Sequence, residues 1–236
     1  MGTRNLTMIQ KNNKMVLAQY CQWDGYPTGQ GLVILEFLKN NDIEIFKKKV
    51  DNLEYVTEEK YKECWAEAGA GPEDTFVGME IADKFNKLYP QLSRDTGAKV
   101  LDIIMNSEKT VLVKDSLSFA YNWSCEWGYV INLDTNQLEV YKCSLEVKEN
   151  DRFYLKKEER PENYEPIVQI ASYDFDNLPS ERTFSRLESY YDSKLEEVLE
   201  EATDEAVADL ILDFLEDFKD KLDSENLKEE IIKWLN

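Results

Sequence analysis

Histidine is absent from these 236 residues. Without an imidazole, Ser-His-Asp and Cys-His catalysis are excluded. Cysteine is scarce. The four cysteines stand at positions 21, 64, 125 and 143 with no C-x-x-C pair among them. That spacing predicts neither a tetrahedral zinc site nor the disulfide frame of a small secreted domain. No Walker A loop, G-x-G-x-x-G turn or EF-hand loop is present, so no metal and no cofactor are expected. Long apolar runs are missing too. None approaches the roughly 18 residues of a membrane span, and the N-terminus has no apolar stretch of the signal-peptide kind. The expected compartment is the cytoplasm. Positive charge is the last deficit: 28 Lys and Arg face 48 Asp and Glu, a net charge of −20. Phosphate backbones and anionic membranes select for the opposite sign, so direct nucleic-acid or membrane binding is not expected.

What remains is a folding chain. Hydrophobic residues make up 42% and aromatics 12%, too much for a disordered polymer. The pattern predicts an α+β fold, an antiparallel sheet with helices over residues 1–175, followed by acidic amphipathic helices over 176–236. Two β-prone runs, 3–9 and 15–21, flank Asn12 and Asn13, which tolerate positive φ and predict a hairpin. The stretches 32–39, 42–50, 57–68 and 74–89 read as helices. Residues 98–105 fit helix or strand. Lys109 to Val113 reads as a strand. Residues 127–133 and 138–143 predict a second hairpin about Asp134–Gln137, and 151–156 and 166–171 further short strands. Tyr121, Trp123, Trp127 and Tyr129 alternate as one strand face would. From Leu178 the composition shifts. Ser180 reads as an N-cap, and Leu187, Tyr190, Tyr191, Leu195, Val198 and Leu199 repeat at helical spacing. Residues 180–236 hold 18 acidic against 7 basic side chains, more than half of the net charge.

Three groups of residues carry candidate chemistry. The hairpin register makes residues near 4 and 22 cross-strand neighbours, which gathers Arg4, Gln22, Trp23, Asp24 and Tyr26 at one strand end. An Arg fork and aromatic faces there suit a small planar anion, for example a nucleotide. The alternative is an Arg4–Asp24 ion pair pinning a turn over aromatic core. Arg94 and Asp95 form a second candidate in the turn Arg94-Asp95-Thr96-Gly97, where Arg94 suits an anionic ligand and Asp95 or Thr96 suits a helix cap. The carboxylates Glu196, Glu197, Glu200, Glu201, Asp204 and Glu205 recur along one helix. They suit a solvated face, or a surface that meets a basic host protein by charge complementarity. Cys21 is a conceivable nucleophile only if an amine or carboxylate serves as its base. A Thr3 nucleophile requires processing before that residue.

The N-terminal segment Thr3-Arg4-Asn5-Leu6, then Ala18-Gln-Tyr-Cys-Gln-Trp-Asp-Gly-Tyr-Pro27, then Gly29-Gln-Gly31, resembles a family of small phage and prophage proteins, mostly of low-GC hosts. Leu92–Lys99 and Cys125–Asp134 resemble the same family, so the likeness runs from residue 1 to about 145. It implies a mobile-element accessory protein in a bacterial host cell, and no activity. Three functions follow as expectations: an inhibitor of a host defence or nucleic-acid-handling protein acting through the acidic helices; a protein that sequesters a nucleotide-like ligand; and a hydrolase using Cys21 or processed Thr3. Self-association through the amphipathic helices is open.

Overall fold

Asn12 and Asn13 both sit at positive φ, 55° and 57°, the backbone of a two-residue hairpin turn whose twist matches that of its strands. They join β1 (Asn5–Lys11) to β2 (Lys14–Cys21). The computed structural model describes residues 2–71, 74, 76–143 and 146–192. The chain divides into two units, 1–178 and 179–236.

In the first unit β2 leads through a π-helical turn (Pro27–Gly31) into α1 (Leu32–Asn40), whose Ile34, Leu35, Phe37 and Leu38 are buried. Helix α2 (Ile43–Val50) follows, with the Asp42 carboxylate accepting from the backbone N–H groups of Glu44 and Ile45. That cap satisfies two of the donors a helix start leaves unpaired. Next come β3 (Leu53–Tyr55), α3 (Glu58–Ala68), α4 (Met79–Leu88), α5 (Val100–Asn106) and β4 (Val111–Val113). The stretch 98–105 therefore resolves as helix. Helix α4 begins five residues later than its periodicity suggests, because Gly78 occupies the N-cap position.

Strands β5 (Trp127–Asn132) and β6 (Gln137–Lys142) form the second hairpin, and β7 (Val168–Asp174) completes the main sheet. The order is β2-β1-β5-β6-β7, with β3 and β4 paired separately in parallel. The main sheet is not wholly antiparallel: β1 and β5 pair in parallel. More than a hundred residues separate them, ample for the crossover that a parallel pair needs. Residues 151–156 are turn and irregular chain rather than strand, followed by a 3-10 turn at Lys157–Glu159. The expected strand face from Tyr121 to Tyr129 holds only from Trp127 onward. Tyr121 ends a 3-10 turn, and Trp123 is 54% exposed in the loop beyond it.

One face of the sheet buries Leu6, Met8, Ala18, Val130 and Tyr141 against Ala120, Cys125, Phe153 and Ile167. The other face carries Asn5, Thr7, Gln19, Cys21 and Tyr129, all buried. There the turn at Gly97 approaches so closely that a Cβ would stand 2.9 Å from Cys21 Sγ. In the second unit α6 (Glu181–Asp192) starts at Ser180, whose hydroxyl accepts from the backbone N–H of Thr183 at 3.1 Å.

Candidate functional site

The Gln22–Gly31 segment folds as a corner fastened by its own backbone. Asp24 sits at φ 53°, which Asp tolerates better than most residues. Its carbonyl accepts from Gln30 N at 2.8 Å, and Gly25 N donates to Thr3 O at 3.0 Å. The Tyr129 hydroxyl donates to Gly25 O at 2.8 Å from inside the core. Gly29 is required by contact: a Cβ there would lie 2.2 Å from Asp24 O.

The corner and the end of β2 that leads into it are tied to the loop 93–98 at four points. Gln22 N donates to Arg94 O at 3.1 Å, and Gln19 Nε2 donates to Ser93 O at 2.9 Å. Trp23 Nε1 donates to Asp95 Oδ1 at 3.0 Å, and Ala98 N donates to Gln30 Oε1 at 2.7 Å. Gln22, Trp23, Arg94 and Asp95, chosen from two separate stretches of sequence, therefore meet. Asp95 acts through Trp23 and an ion pair of 3.9 Å with Arg94. Thr96 is the residue before the 3-10 turn Gly97–Lys99, and its hydroxyl turns back to Pro90 O instead of capping. Tyr26 is 37% exposed at the rim of the corner.

Arg4 does not join Asp24. Its guanidinium pairs with Glu126 at 3.8 Å and lies 5.9 Å over the Trp123 ring. The Arg4 amide N–H also donates to Glu126 Oε1 at 3.1 Å. The parallel pairing of β1 with β5 is what brings Glu126 there, and nothing in the local sequence signals it.

Below this corner, along the outer edge of β2, runs a cleft of about 810 Å³. Arg94, Asp95, Gln19 and Tyr20 line one end. Helices α3 and α4 line another, with Tyr61, Trp65 and Phe85, and the segment Lys114–Phe119 closes a third side. Trp65 stacks on Phe85 with centroids 3.8 Å apart and planes 8° from parallel, and Tyr61 stands edge-on to both. Lys114 Nζ lies 4.7 Å over the Tyr61 ring. Tyr20 packs edge-on against Phe119 at 5.0 Å and donates its hydroxyl to Gln22 Oε1 at 2.6 Å. Burial raises the Tyr20 pKa, with Arg4 and Arg94 opposing the rise. The cleft has the size of small-molecule sites, and six of its eighteen lining residues are aromatic. Sequence reasoning reached Arg94 and Asp95 but missed the aromatic wall. Its one signal was Tyr61 and Trp65 at i, i+4, which share a helix face.

Cys21 is buried, and its thiol faces Trp23 O at 3.4 Å. Burial pushes its pKa up, with Asp95 and Asp24 adding to the rise. A nucleophilic thiolate needs the reverse environment. Thr3 is 5% exposed, with its carbonyl held by Gly25. Among the described residues no group of His, Cys, Asp or Glu is arranged to hold a metal ion. No described helix is long and apolar enough to cross a membrane. The carboxylates from Glu196 to Glu205 lie outside the described residues. No family model, curated protein or solved structure matches the chain.

Proposed function

We propose that this protein acts by binding rather than by turnover, and that the cleft beside β2 is where it holds a small ligand. The observation that carries the reading is the meeting, in one cavity of about 810 Å³, of an aromatic wall (Tyr61, Trp65, Phe85) with the cations Arg94 and Lys114. Aromatic faces supply apolar area and planar selectivity, and the cations supply orientation. The site is displaced from the corner itself, where the glycines and Tyr129 spend their groups on the fold. The raised pKa of Cys21 weighs against a thiol hydrolase. The test is a fragment screen by protein-observed NMR. Shifts should cluster at Trp65 and Tyr61, and Trp65→Ala should weaken the hits at least tenfold. Hits that bind Trp65→Ala as well as the native chain contradict the reading.

A second reading, inhibition of a host protein by an acidic surface, is favoured by the net charge of −20 and by the resemblance of residues 1 to about 145 to phage proteins. Such a surface competes with nucleic acid for a basic partner. Charge reversal over residues 196–217 should abolish inhibition of that partner, and unchanged inhibition contradicts it.

A further inference from the structure

We infer that the occupant of the cleft is a nucleobase joined to a single low-charge phosphate, a conclusion that rests on the binding reading above. Two features of the lining specify two parts of such a molecule.

The first is the ring. Aromatic side chains reach the cleft from independent elements: Tyr61 and Trp65 from α3, Phe85 from α4, Tyr20 from β2 and Phe119 from the segment after β4. Stacking on such faces is how proteins hold bases without regard to a strand partner, and it is worth about 1–3 kcal/mol per base.

The second is the anion and its charge. Lys114 forms no ion pair among the described residues, and its one close charge-related contact there is the Tyr61 ring. Among the described residues the Arg94 side chain pairs with Asp95 alone, at 3.9 Å, and it is 67% exposed. In a chain of net charge −20, two cations in one cavity mark the place an anion can enter. Asp95 and Asp115 line the same cavity, so the cations do not create a strongly positive field. With two cations against two carboxylates the charged lining is neutral overall, which suits one low-charge phosphate at Arg94 or at Lys114. A triphosphate of about four negative charges meets the carboxylates and is repelled.

The low-charge phosphate can be terminal, as in a nucleoside monophosphate, or bridging, as in a cyclic or linear dinucleotide. Isothermal titration of the full chain separates these. The probes are AMP, GMP and CMP, 3′,5′-cyclic AMP, a linear dinucleotide, ATP, adenosine and inorganic phosphate. At least one single-phosphate compound should bind, with ATP and adenosine each at least tenfold weaker than the matching monophosphate and phosphate alone giving no heat. Tighter binding of AMP than of the cyclic and dinucleotide probes assigns a terminal phosphate, and the opposite order a bridging one. Lys114→Gln, at an exposed position, should weaken the phosphate-bearing ligand about tenfold and leave adenosine unchanged. ATP binding more tightly than AMP, or Lys114→Gln without effect, overturns the assignment. If no nucleotide binds while NMR fragment hits still depend on Trp65, the ligand class fails and the binding reading survives. If neither occurs, both fail.

Discussion

The indole N–H of Trp23 donates to Asp95 Oδ1 across 3.0 Å and 72 residues of chain. This contact is a side-chain link, beside the Gln22 N–Arg94 O and Ala98 N–Gln30 Oε1 bonds, between the corner after β2 and the loop that carries Arg94 at the mouth of the cleft. The bond lies at an exposed position, so it contributes geometry more than stability. Trp23→Phe should leave the thermal midpoint within a few degrees of the native value and weaken ligand binding through a loosened Arg94 loop. Titration calorimetry beside a thermal melt separates the two effects.

The corner itself should be intolerant of added atoms. A Cβ at Gly29 would meet the Asp24 carbonyl at 2.2 Å, and a backbone atom cannot swing aside as a flexible side chain can. Gly29→Ala should therefore cost about 3 kcal/mol, the upper end of overpacking penalties, in urea denaturation followed by circular dichroism.

Asp134 clasps the other hairpin tip. Its two carboxylate oxygens accept from Asn12 N at 2.6 Å and Asn13 N at 2.8 Å. The Asn13 N–H is the largest cause of the lowered Asp134 pKa. A lowered folded pKa gives stability that is full above the unfolded value near 4 and is lost as pH falls through the folded value. Asp134→Asn should cost about 1 kcal/mol at pH 7, discounted for the solvent around the site. The gap between native and variant should hold from pH 7 to about 5 and close on further acidification.

Among the described residues, Arg152 and Glu139 form the ion pair that burial makes most expensive to break. Arg152 Nη2 lies 2.6 Å from Glu139 Oε1, whose side chain is 5% exposed. Tyr141 OH also donates to Glu139, at 2.5 Å. Arg152→Met leaves that carboxylate buried without its cation and should cost about 3–5 kcal/mol, read by urea denaturation at pH 7.

At alkaline pH the tyrosines with raised pKa values dominate; Tyr141 is buried, while Tyr55 is 37% exposed and loses only part of its hydration. Burial raises the Tyr55 pKa to about 12, with Asp115 adding to it, from an ordinary value of 10.0. Burial raises Tyr20, Tyr121 and Tyr141 as well. Groups of this kind keep their protons in the fold, so the stability they give is complete below about pH 10 and declines from there toward 12. Absorbance at 295 nm should show part of the tyrosine ionisation delayed and coincident with unfolding. Full ionisation near pH 10 with the fold intact contradicts this.

The hairpins were legible because local chemistry decides them. Asn12 and Asn13 accept positive φ at no large cost, the flanking runs are apolar with Thr7, Ile9, Val16 and Tyr20 among them, and the turn after β5 places Asn136 at φ 57°. Helices α2 and α3 were legible as short helical stretches at 42–50 and 57–68, and each of those stretches opens on the residue that caps the helix, Asp42 and Thr57. The parallel joint between β1 and β5 was not legible, since register between distant strands leaves no local mark. That joint moved Arg4 from Asp24 to Glu126. It also left the cleft invisible, because its walls come from β2, α3, α4 and two loops whose meeting only tertiary structure determines. Residues 151–156 misled because Phe153 and Tyr154 suit a strand, yet Phe153 is a single buried anchor against Tyr141, with ring centroids 5.2 Å apart.

The most direct test of the cleft as a ligand site uses the five tryptophans as reporters. The chain is labelled with 5-fluorotryptophan, and each fluorine resonance is assigned by single Trp→Phe variants. A small-molecule extract of a bacterial host, below about 1 kDa, is then added. The account predicts that the Trp65 resonance shifts, with Trp23 at the mouth following it, while buried Trp127 and exposed Trp123, neither of which lines the cleft, stay in place. A shift at Trp123 with Trp65 unmoved contradicts it and puts the ligand on the Arg4 side of the sheet.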